Sequence, residues 1–106
     1  MTTEIIVKLQ IEGYHQWQEC NIDEVSFLKN QHRHIFYLDV RKKVTHFDRD
    51  IEIILFKRNI LEYFGKQPID FGNKSCEMIA EDIFKKFNCS SVKVLEDNEN
   101  GAIITE

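Results

Sequence analysis

The stretch Gln31–Val40, with the sequence QHRHIFYLDV, decides the fold of this chain. Successive side chains of a β-strand point to opposite faces of a sheet, so His32 and His34 share one face with Phe36, and Arg33 lies on the other. The pattern predicts a strand whose apolar face begins with two histidines. Two imidazoles in that position indicate a metal or ligand site, and we expect the function of the protein to depend on this end of the strand.

Length and composition predict one soluble domain over residues 1–106. Apolar residues make up 42% of the chain and charged residues 30%, which is typical of a globular protein. The net charge of −4 argues against a nucleic-acid polymer as partner, because such binding needs a basic surface that displaces counterions. A small anionic ligand needs only a local basic pocket and stays compatible with this charge.

The expected location is the cytoplasm. No apolar run approaches the length of a membrane span, and the first residues lack the basic region and apolar core of a signal peptide. The three cysteines, Cys20, Cys76 and Cys89, form no CxxC pair. Free thiols in a reducing compartment are the simplest interpretation, and we expect no membrane partner.

Hydrophobic periodicity predicts four strands and two helices. Glu4–Glu12 alternates as a half-buried strand that Gly13 ends, and 14–30 is a long loop with a helical turn near 23–28. A second strand is predicted over 34–46, followed by a helix over 51–64 that Asp48 or Asp50 caps and Gly65 ends. After a loop over 67–74, a second helix runs from its cap Ser75 to Phe87, with Asn88 as terminator. The last two strands, over 91–96 and 102–105, are joined by a turn over 97–101 that contains the hairpin signal Asn-Gly.

This order predicts an α+β fold, ββααββ, with a four-stranded antiparallel sheet. Each helix has one apolar face, so both should cover the same face of the sheet. Four strands leave two open edges, which proteins protect against unwanted pairing. Joining edges between subunits into a larger barrel would protect them, so we expect a homo-oligomer, either a dimer or a hexamer.

The element order and the histidines resemble the tunnelling fold (T-fold), in its 6-pyruvoyl- and 6-carboxy-tetrahydropterin synthase branch. His15 after the first strand and the pair His32 and His34 match the histidines that bind zinc in that family. The segments Ser75-Cys76-Glu77 and Val94-Leu95-Glu96 fall where the family has the start of its second helix and a glutamate that holds the pterin edge. The resemblance implies a zinc enzyme that acts on a pterin or deazapurine precursor.

Two elements of that family are missing. Its catalytic cysteine lies a few residues before the histidine pair, where this chain has 27–31 without a cysteine, and its Asp-His segment between the helices has no counterpart in 65–74. A nucleophile or acid without its base partner does little chemistry. The binding site is therefore better preserved than the catalytic residues.

A second resemblance is to a family of small phage proteins. The segments FLKNQHRHIFYLDV (27–40), HFDRDIEIILFKR (46–58), SCEMIAE (75–81) and EDNENGA (96–102) are similar to the Thoeris anti-defence family, sponges that sequester the cyclic ADP-ribose signal made by TIR enzymes and, in some members, other cyclic nucleotides. This resemblance implies a non-catalytic phage protein that binds a cyclic nucleotide between subunits without turnover or cofactor. It is the leading interpretation, and the zinc enzyme is the alternative.

Several side chains are candidates for these sites, each with a simpler structural role as alternative. His15, His32 and His34 can form a zinc site with an open fourth position, or make hydrogen bonds at a strand end or bind phosphate. Trp17 can stack on a purine or anchor its loop, and Phe71 can stack or pack in the core.

The remaining candidates are polar. Arg33 and Arg49 suit a diphosphate, but exposed arginines are usually solvated or form local ion pairs. Asn73 can bind a base or ribose edge, or cap the second helix. Glu96 and Asp97 can accept hydrogen bonds from ribose hydroxyls or a base amino group, or serve as acids of the hairpin turn. The predicted ligand-binding set is thus His15, Trp17, His32, Arg33, Arg49, Phe71, Asn73, Glu96 and Asp97.

Overall fold

The protein has an α+β architecture in which two helices pack on a five-stranded mixed sheet. The computed structural model describes all residues, 1–106. Its elements in chain order are β1 (Thr3–His15), a 3₁₀ segment (Asp23–Lys29), β2 (His32–Val44), α1 (Ile53–Phe64), β3 (Ile69–Gly72), α2 (Cys76–Lys86), β4 (Ser91–Glu96) and β5 (Asn100–Thr105). The strand order is β3-β1-β2-β4-β5, which confirms the predicted α+β class and the packing of helices on a sheet.

The long antiparallel pair of β1 and β2 is the framework of the sheet. Each strand has 13 residues, and the register runs from Thr3 opposite Val44 to His15 opposite His32. The alternating apolar residues predicted for both strands face the core. β1 continues to His15 and β2 starts at His32, so both strands extend further toward the histidines than predicted.

One hydrophobic core lies between the sheet and the helices. α1 contributes Phe56 and Ile60, and α2 contributes residues such as Ile79 and Ile83 to the same cluster. Both helices therefore cover one face of the sheet, as predicted. The largest fully buried side chains of this core are Ile11, Phe36, Val40, Ile60, Ile79, Ile83, Val92 and Val94.

The prediction of a purely antiparallel four-stranded sheet is wrong, because the expected loop over 67–74 contains β3. This strand pairs in parallel with the end of β1. Gly13 makes the pairing possible: a Cβ there would lie 2.6 Å from Phe71 Cε2 and 2.9 Å from the Ile69 carbonyl oxygen. A four-residue strand has too little periodicity to be detected from the sequence.

Two element boundaries differ from the predictions for local reasons. Glu52 caps α1, with its carboxylate accepting hydrogen bonds from the Ile54 and Leu55 N–H groups, and these bonds hold the pKa of Glu52 below its usual value. Asp50 instead accepts hydrogen bonds from Thr45. The β4–β5 hairpin turns at Asp97 and Asn98, whose φ angles are 52° and 60°, and not at the Asn-Gly pair, which lies within β5.

The predicted cap and terminator of α2 are confirmed. The Ser75 hydroxyl accepts a hydrogen bond from the Met78 N–H and so caps α2, and Asn88 follows this helix with a φ of 51°. All three cysteines are free and buried. None of the helices has the length and apolar character needed to cross a membrane.

Two stretches of strand edge stay unpaired. β3 covers only Gly13–His15, so most of β1 presents an open edge, and β5 has no neighbour on its outer side. Exposed isoleucines lie on both of these strands, Ile6 on β1 and Ile103 on β5. The edges are thus available for contacts between subunits, and oligomerisation stays a prediction.

We expect Gly13→Ala to destabilise the protein by about 1–3 kcal/mol, the usual cost of an added methyl group in a packed region. The new Cβ would meet both a ring and a carbonyl group of β3, so β3 must move away from β1. Urea denaturation followed by circular dichroism measures this loss. Gly65→Ala is not a suitable control, because Gly65 has a φ of 85° and an alanine there would be strained for a different reason. Ala102→Gly serves as the control for an alanine–glycine exchange at an ordinary strand position. Wild-type stability of Gly13→Ala would show that the close packing of β3 on β1 is not required.

Candidate metal centre and ligand cavity

Three imidazoles meet at one end of the sheet because of the β1–β2 register. His15 is the last residue of β1 and lies opposite His32, the first residue of β2. His34 follows two positions later on the same face. The ring centroids of His15 lie 4.5 Å from those of His32 and 5.4 Å from those of His34, and the two β2 rings are 5.1 Å apart.

The Nδ1 atom of each histidine has a hydrogen-bond partner. His15 Nδ1 lies 2.8 Å from the Lys74 carbonyl oxygen, and His32 Nδ1 lies 2.8 Å from the Asn30 carbonyl oxygen. A carbonyl oxygen only accepts, so these two Nδ1 atoms carry the proton. In the neutral form, both rings then present an unprotonated Nε2, the atom and tautomer that bind metals.

Asp97 performs the same role for the third ring. Its Oδ2 lies 2.7 Å from His34 Nδ1, and its Oδ1 accepts a hydrogen bond of 3.0 Å from the Ile35 N–H. These hydrogen bonds, with that to His34 the largest cause, hold the pKa of Asp97 below its usual value. Asp97 is thus a carboxylate that orients a histidine, an arrangement common behind metal ligands.

Glu96 brings a carboxylate to the three imidazoles. Its Oε2 lies 2.8 Å from His15 Nε2 and 3.6 Å from His34 Nε2. One ligand atom from each of His15, His32, His34 and Glu96 can be chosen such that all four lie within 4.8 Å of one another. The donor set of three imidazole nitrogens and one carboxylate oxygen fits zinc.

Phe36 connects this cluster to the core. The side chain is fully buried, and its ring centroid lies 5.3 Å from that of His15 and 5.7 Å from that of His34, in edge-to-face contacts. On its other side the ring contacts Phe71 at 4.9 Å. The two histidine rings are therefore held by packing as well as by hydrogen bonds.

A cavity of about 500 Å³ opens beside the cluster. This volume lies within the range of about 300–1,000 Å³ that is usual for small-molecule sites. Trp17 lines this cavity and is 42% exposed. The lining residues are His15, Gln16, Trp17, Leu28, His32, Asn73, Lys74, Ser75, Cys76, Glu77, Met78, Glu96, Asn100 and Gly101.

Among the cavity residues that the predicted site lacked, Gln16 and Cys76 have chemically distinctive surroundings. Gln16 Oε1 is buried and has no hydrogen-bond partner, so it is a free acceptor. Burial, with smaller effects of the Glu96 and Glu77 carboxylates, raises the pKa of the Cys76 thiol to about 12, so this thiol stays protonated at neutral pH. The motif Ser75-Cys76-Glu77 was the available signal, since a helix start packed at the strand ends places these residues near the histidines.

The other predicted ligand-binding residues lie apart from the cavity, except Asn73. Asn73 lines it and holds Gln18 through two hydrogen bonds, while Ser75 caps the helix. Arg33 forms an ion pair of 2.6 Å with Glu12, and Arg49 forms one of 2.6 Å with Asp48. Phe71 is buried in the core between Phe36 and Phe64.

A second cavity, of about 520 Å³, has a different character. Lys8 and Lys93 lie on the face of the sheet opposite to the histidines, and Lys57 of α1 also lines this cavity. None of the three lysines forms an ion pair within the chain, while Asp39 in the same cavity is paired with Arg41. This cavity therefore offers three lysines without ion-pair partners, whereas the one lysine of the first cavity, Lys74, is paired with Asp82.

No family model matches the sequence, and no curated protein matches it. The likeness to T-fold and phage sponge proteins consequently rests on the short segments quoted above.

We expect Asp97→Asn to lower the affinity of the candidate site for zinc by roughly 10–100-fold, the usual effect of losing an outer-shell carboxylate. The amide keeps an acceptor for the Ile35 N–H but removes the charge beside His34. Competition against a fluorescent chelator measures the affinity. Glu99→Gln is the matched control, since Glu99 lies in the same turn and its side chain has no partner. Equal losses in both variants would contradict a specific role of Asp97.

Proposed function

We propose that this chain is a zinc-dependent protein of T-fold type that acts on a small planar heterocycle of the pterin or deazapurine class. The observation that carries the proposal is that three imidazole rings from two paired strands meet beside the Glu96 carboxylate, with one ligand atom of each residue within 4.8 Å of the others. The zinc would bind through His15, His32 and His34. The adjoining cavity would hold the heterocycle.

The hydrogen bonds behind the histidines are the strongest support for a metal. The Nδ1 atoms of the three rings contact two carbonyl oxygens and one carboxylate, which fixes the orientation of each ring. The Nε2 atoms of His15 and His34 both lie near Glu96 Oε2. Histidines that bind no ligand at a strand end do not require a common ring orientation. A phosphate site does not explain why the rings also face the carboxylate of Glu96.

The cavity wall supports the choice of ligand. Trp17 offers a face for stacking on a planar ring, and Gln16 Oε1 is a buried acceptor that suits a ring N–H or amino group. The wall contains no arginine, and its one lysine, Lys74, has its ammonium 3.7 Å from Asp82 Oδ2, so its charge is already paired. These features suit an uncharged heterocycle better than a diphosphate.

The roles of the chain's own residues follow from these contacts. Trp17 and Gln16 would orient the heterocycle, and the Cys76 thiol would hold a proton close to it. When bound, zinc would supply Lewis-acid polarisation of a ligand oxygen. In the tetrahydropterin synthases that the chain resembles, the cysteine comes from before the histidine pair, whereas here Cys76 approaches from the start of α2.

The open edges of β1 and β5 support an oligomer of the T-fold kind. Each edge presents unpaired backbone groups next to an exposed isoleucine, and pairing between subunits would satisfy them. In a closed ring of subunits the cavity would lie close to a neighbouring chain, which could supply further ligand contacts.

The protein purified without added metal or chelator is expected to contain one zinc per subunit. Native mass spectrometry with elemental analysis measures both the metal and the number of subunits. His32→Ala and His34→Ala should lose the metal, because each removes one of three nitrogen ligands. His46→Ala is the control, since His46 is exposed in the loop before α1. Protein that is metal-free and takes up no zinc would overturn the proposal.

A second candidate function is the sequestration of a cyclic nucleotide signal without turnover. The observation that favours it is the lysine-lined cavity, where Lys8, Lys57 and Lys93 stand without carboxylate partners. A diphosphate needs such a local concentration of positive charge even when the net charge of the protein is negative. In this case the ligand would bind on the sheet face opposite to the histidines.

This second function predicts that cyclic ADP-ribose isomers or other cyclic nucleotides bind and are recovered intact. Isothermal titration calorimetry against a ligand panel, followed by chromatography of the released ligand, measures both properties. Lys93→Glu should weaken binding at least tenfold because it reverses a charge in the cavity, whereas Lys29→Glu, at the exposed end of the 3₁₀ segment, should not. Loss of intact ligand over time would exclude pure sequestration.

A further inference from the structure

We infer that Glu96 is the fourth protein ligand of the metal, so that three histidines and one carboxylate close the site. This inference rests on the proposed zinc site and deepens it. A three-histidine site with an open position binds and activates a water or substrate directly. A site with four protein ligands must first release one of them, and Glu96 would be that ligand.

The spacing of the atoms supports four-coordination. Zinc bonds of about 2.0–2.1 Å in a tetrahedral arrangement place the ligand atoms roughly 3.3 Å apart. The Glu96 Oε2 distances of 2.8 Å to His15 Nε2 and 3.6 Å to His34 Nε2 lie on either side of this value. No ligand atom of the four lies more than 4.8 Å from another. Small rotations of the side chains would therefore complete the coordination.

The environment of His15 Nε2 supplies a second reason. This atom is buried and makes no hydrogen bond, although a carboxylate oxygen lies 2.8 Å away. Its ring already donates through Nδ1 to the Lys74 carbonyl, so the neutral ring presents a lone pair toward Glu96. A ring lone pair and a carboxylate oxygen at this distance require a cation between them, either a proton or a metal ion, and the two other imidazoles of the cluster favour a metal ion.

The position of Glu96 on β4 makes it specific for this role. It is the last residue of the strand and lies opposite Phe36, whose ring supports the histidines. The next residue, Asp97, orients His34. Glu77 lines the same cavity but is exposed and does not belong to the cluster of ligand atoms. Glu77 therefore provides a matched control.

In a site with four protein ligands, Glu96 binds the metal. The T-fold resemblance instead implies that the corresponding glutamate holds the pterin edge. A carboxylate that binds the metal has at most one oxygen left for a ligand. The heterocycle would then bind next to a complete coordination shell, and its entry to the metal would require Glu96 to swing away. The exposed fraction of the Glu96 side chain, 31%, leaves room for such a movement.

Cobalt(II) substitution tests this inference. Wild-type, Glu96→Gln and Glu77→Gln proteins are stripped of metal, loaded with Co²⁺ and titrated with azide while the visible spectrum is recorded. The wild-type and Glu77→Gln spectra should stay unchanged, because no coordination position is open. Glu96→Gln should respond to azide and bind Co²⁺ more weakly by at least about 10–100-fold, the range that loss of an outer-shell partner already costs.

The outcomes separate this inference from the proposed function. Wild-type protein that binds no Co²⁺ or Zn²⁺ overturns both. If the wild-type protein binds Co²⁺ and its spectrum responds to azide, only the inference that Glu96 is the fourth ligand is overturned. This measurement needs no variant. Unchanged affinity and spectrum in Glu96→Gln, with circular dichroism confirming its fold, lead to the same conclusion.

Discussion

The site depends on the register between β1 and β2. Side chains alternate along a strand, so a shift of one residue would turn His15 to the opposite face from His32 and His34. Thirteen paired residues on each strand hold the register, and the alternating apolar residues make any other register expose the core. The same pairing of β1 with β2 therefore both stabilises the sheet and brings the three histidines together.

Packing and hydrogen bonding then convert three nearby rings into an oriented set. Phe36 supports two of the rings from the core, and groups from three other parts of the chain fix the Nδ1 atoms: Asn30 before β2, Lys74 before α2 and Asp97 after β4. Each of these groups lies in a connection between elements. The connections thus determine tautomers and ring directions, while the strands determine positions.

The sequence predicts the parts of this arrangement that depend on local periodicity. The alternation around His32 and His34 is sufficient to place both rings on the core face of a strand, and Ser75 marks the start of α2. Contacts between distant segments leave no periodic signal. The parallel pairing of β3 with β1 depends on the missing side chain of Gly13, and the Glu52 cap of α1 competes with two nearby aspartates that look equally suitable.

The candidate site was predictable to a similar extent and for the same reason. The three histidines follow from strand geometry together with a resemblance, because His15 is separated from His32 by a long connection. Gln16 and Cys76 were missed because their significance depends on surroundings that only the fold creates. Burial leaves Gln16 Oε1 without a hydrogen-bond partner and keeps the Cys76 thiol protonated. Arg33 and Arg49 suggested a phosphate site by their chemistry, yet each is neutralised by an acidic neighbour.

The two cavities show how one sheet can separate two kinds of chemistry. On β4, Lys93 and Glu96 are three residues apart and therefore lie on opposite faces of the sheet. This alternation places the lysine in one cavity and the carboxylate beside the histidine cluster. Glu96 beside neutral imidazoles favours a cation, and a metal bound there would neutralise the carboxylate. An anionic nucleotide instead gains from the unpaired lysines across the sheet. The nature of the ligand thus depends on which face of β4 it meets, and the oriented Nε2 atoms make the histidine face the better-defined site.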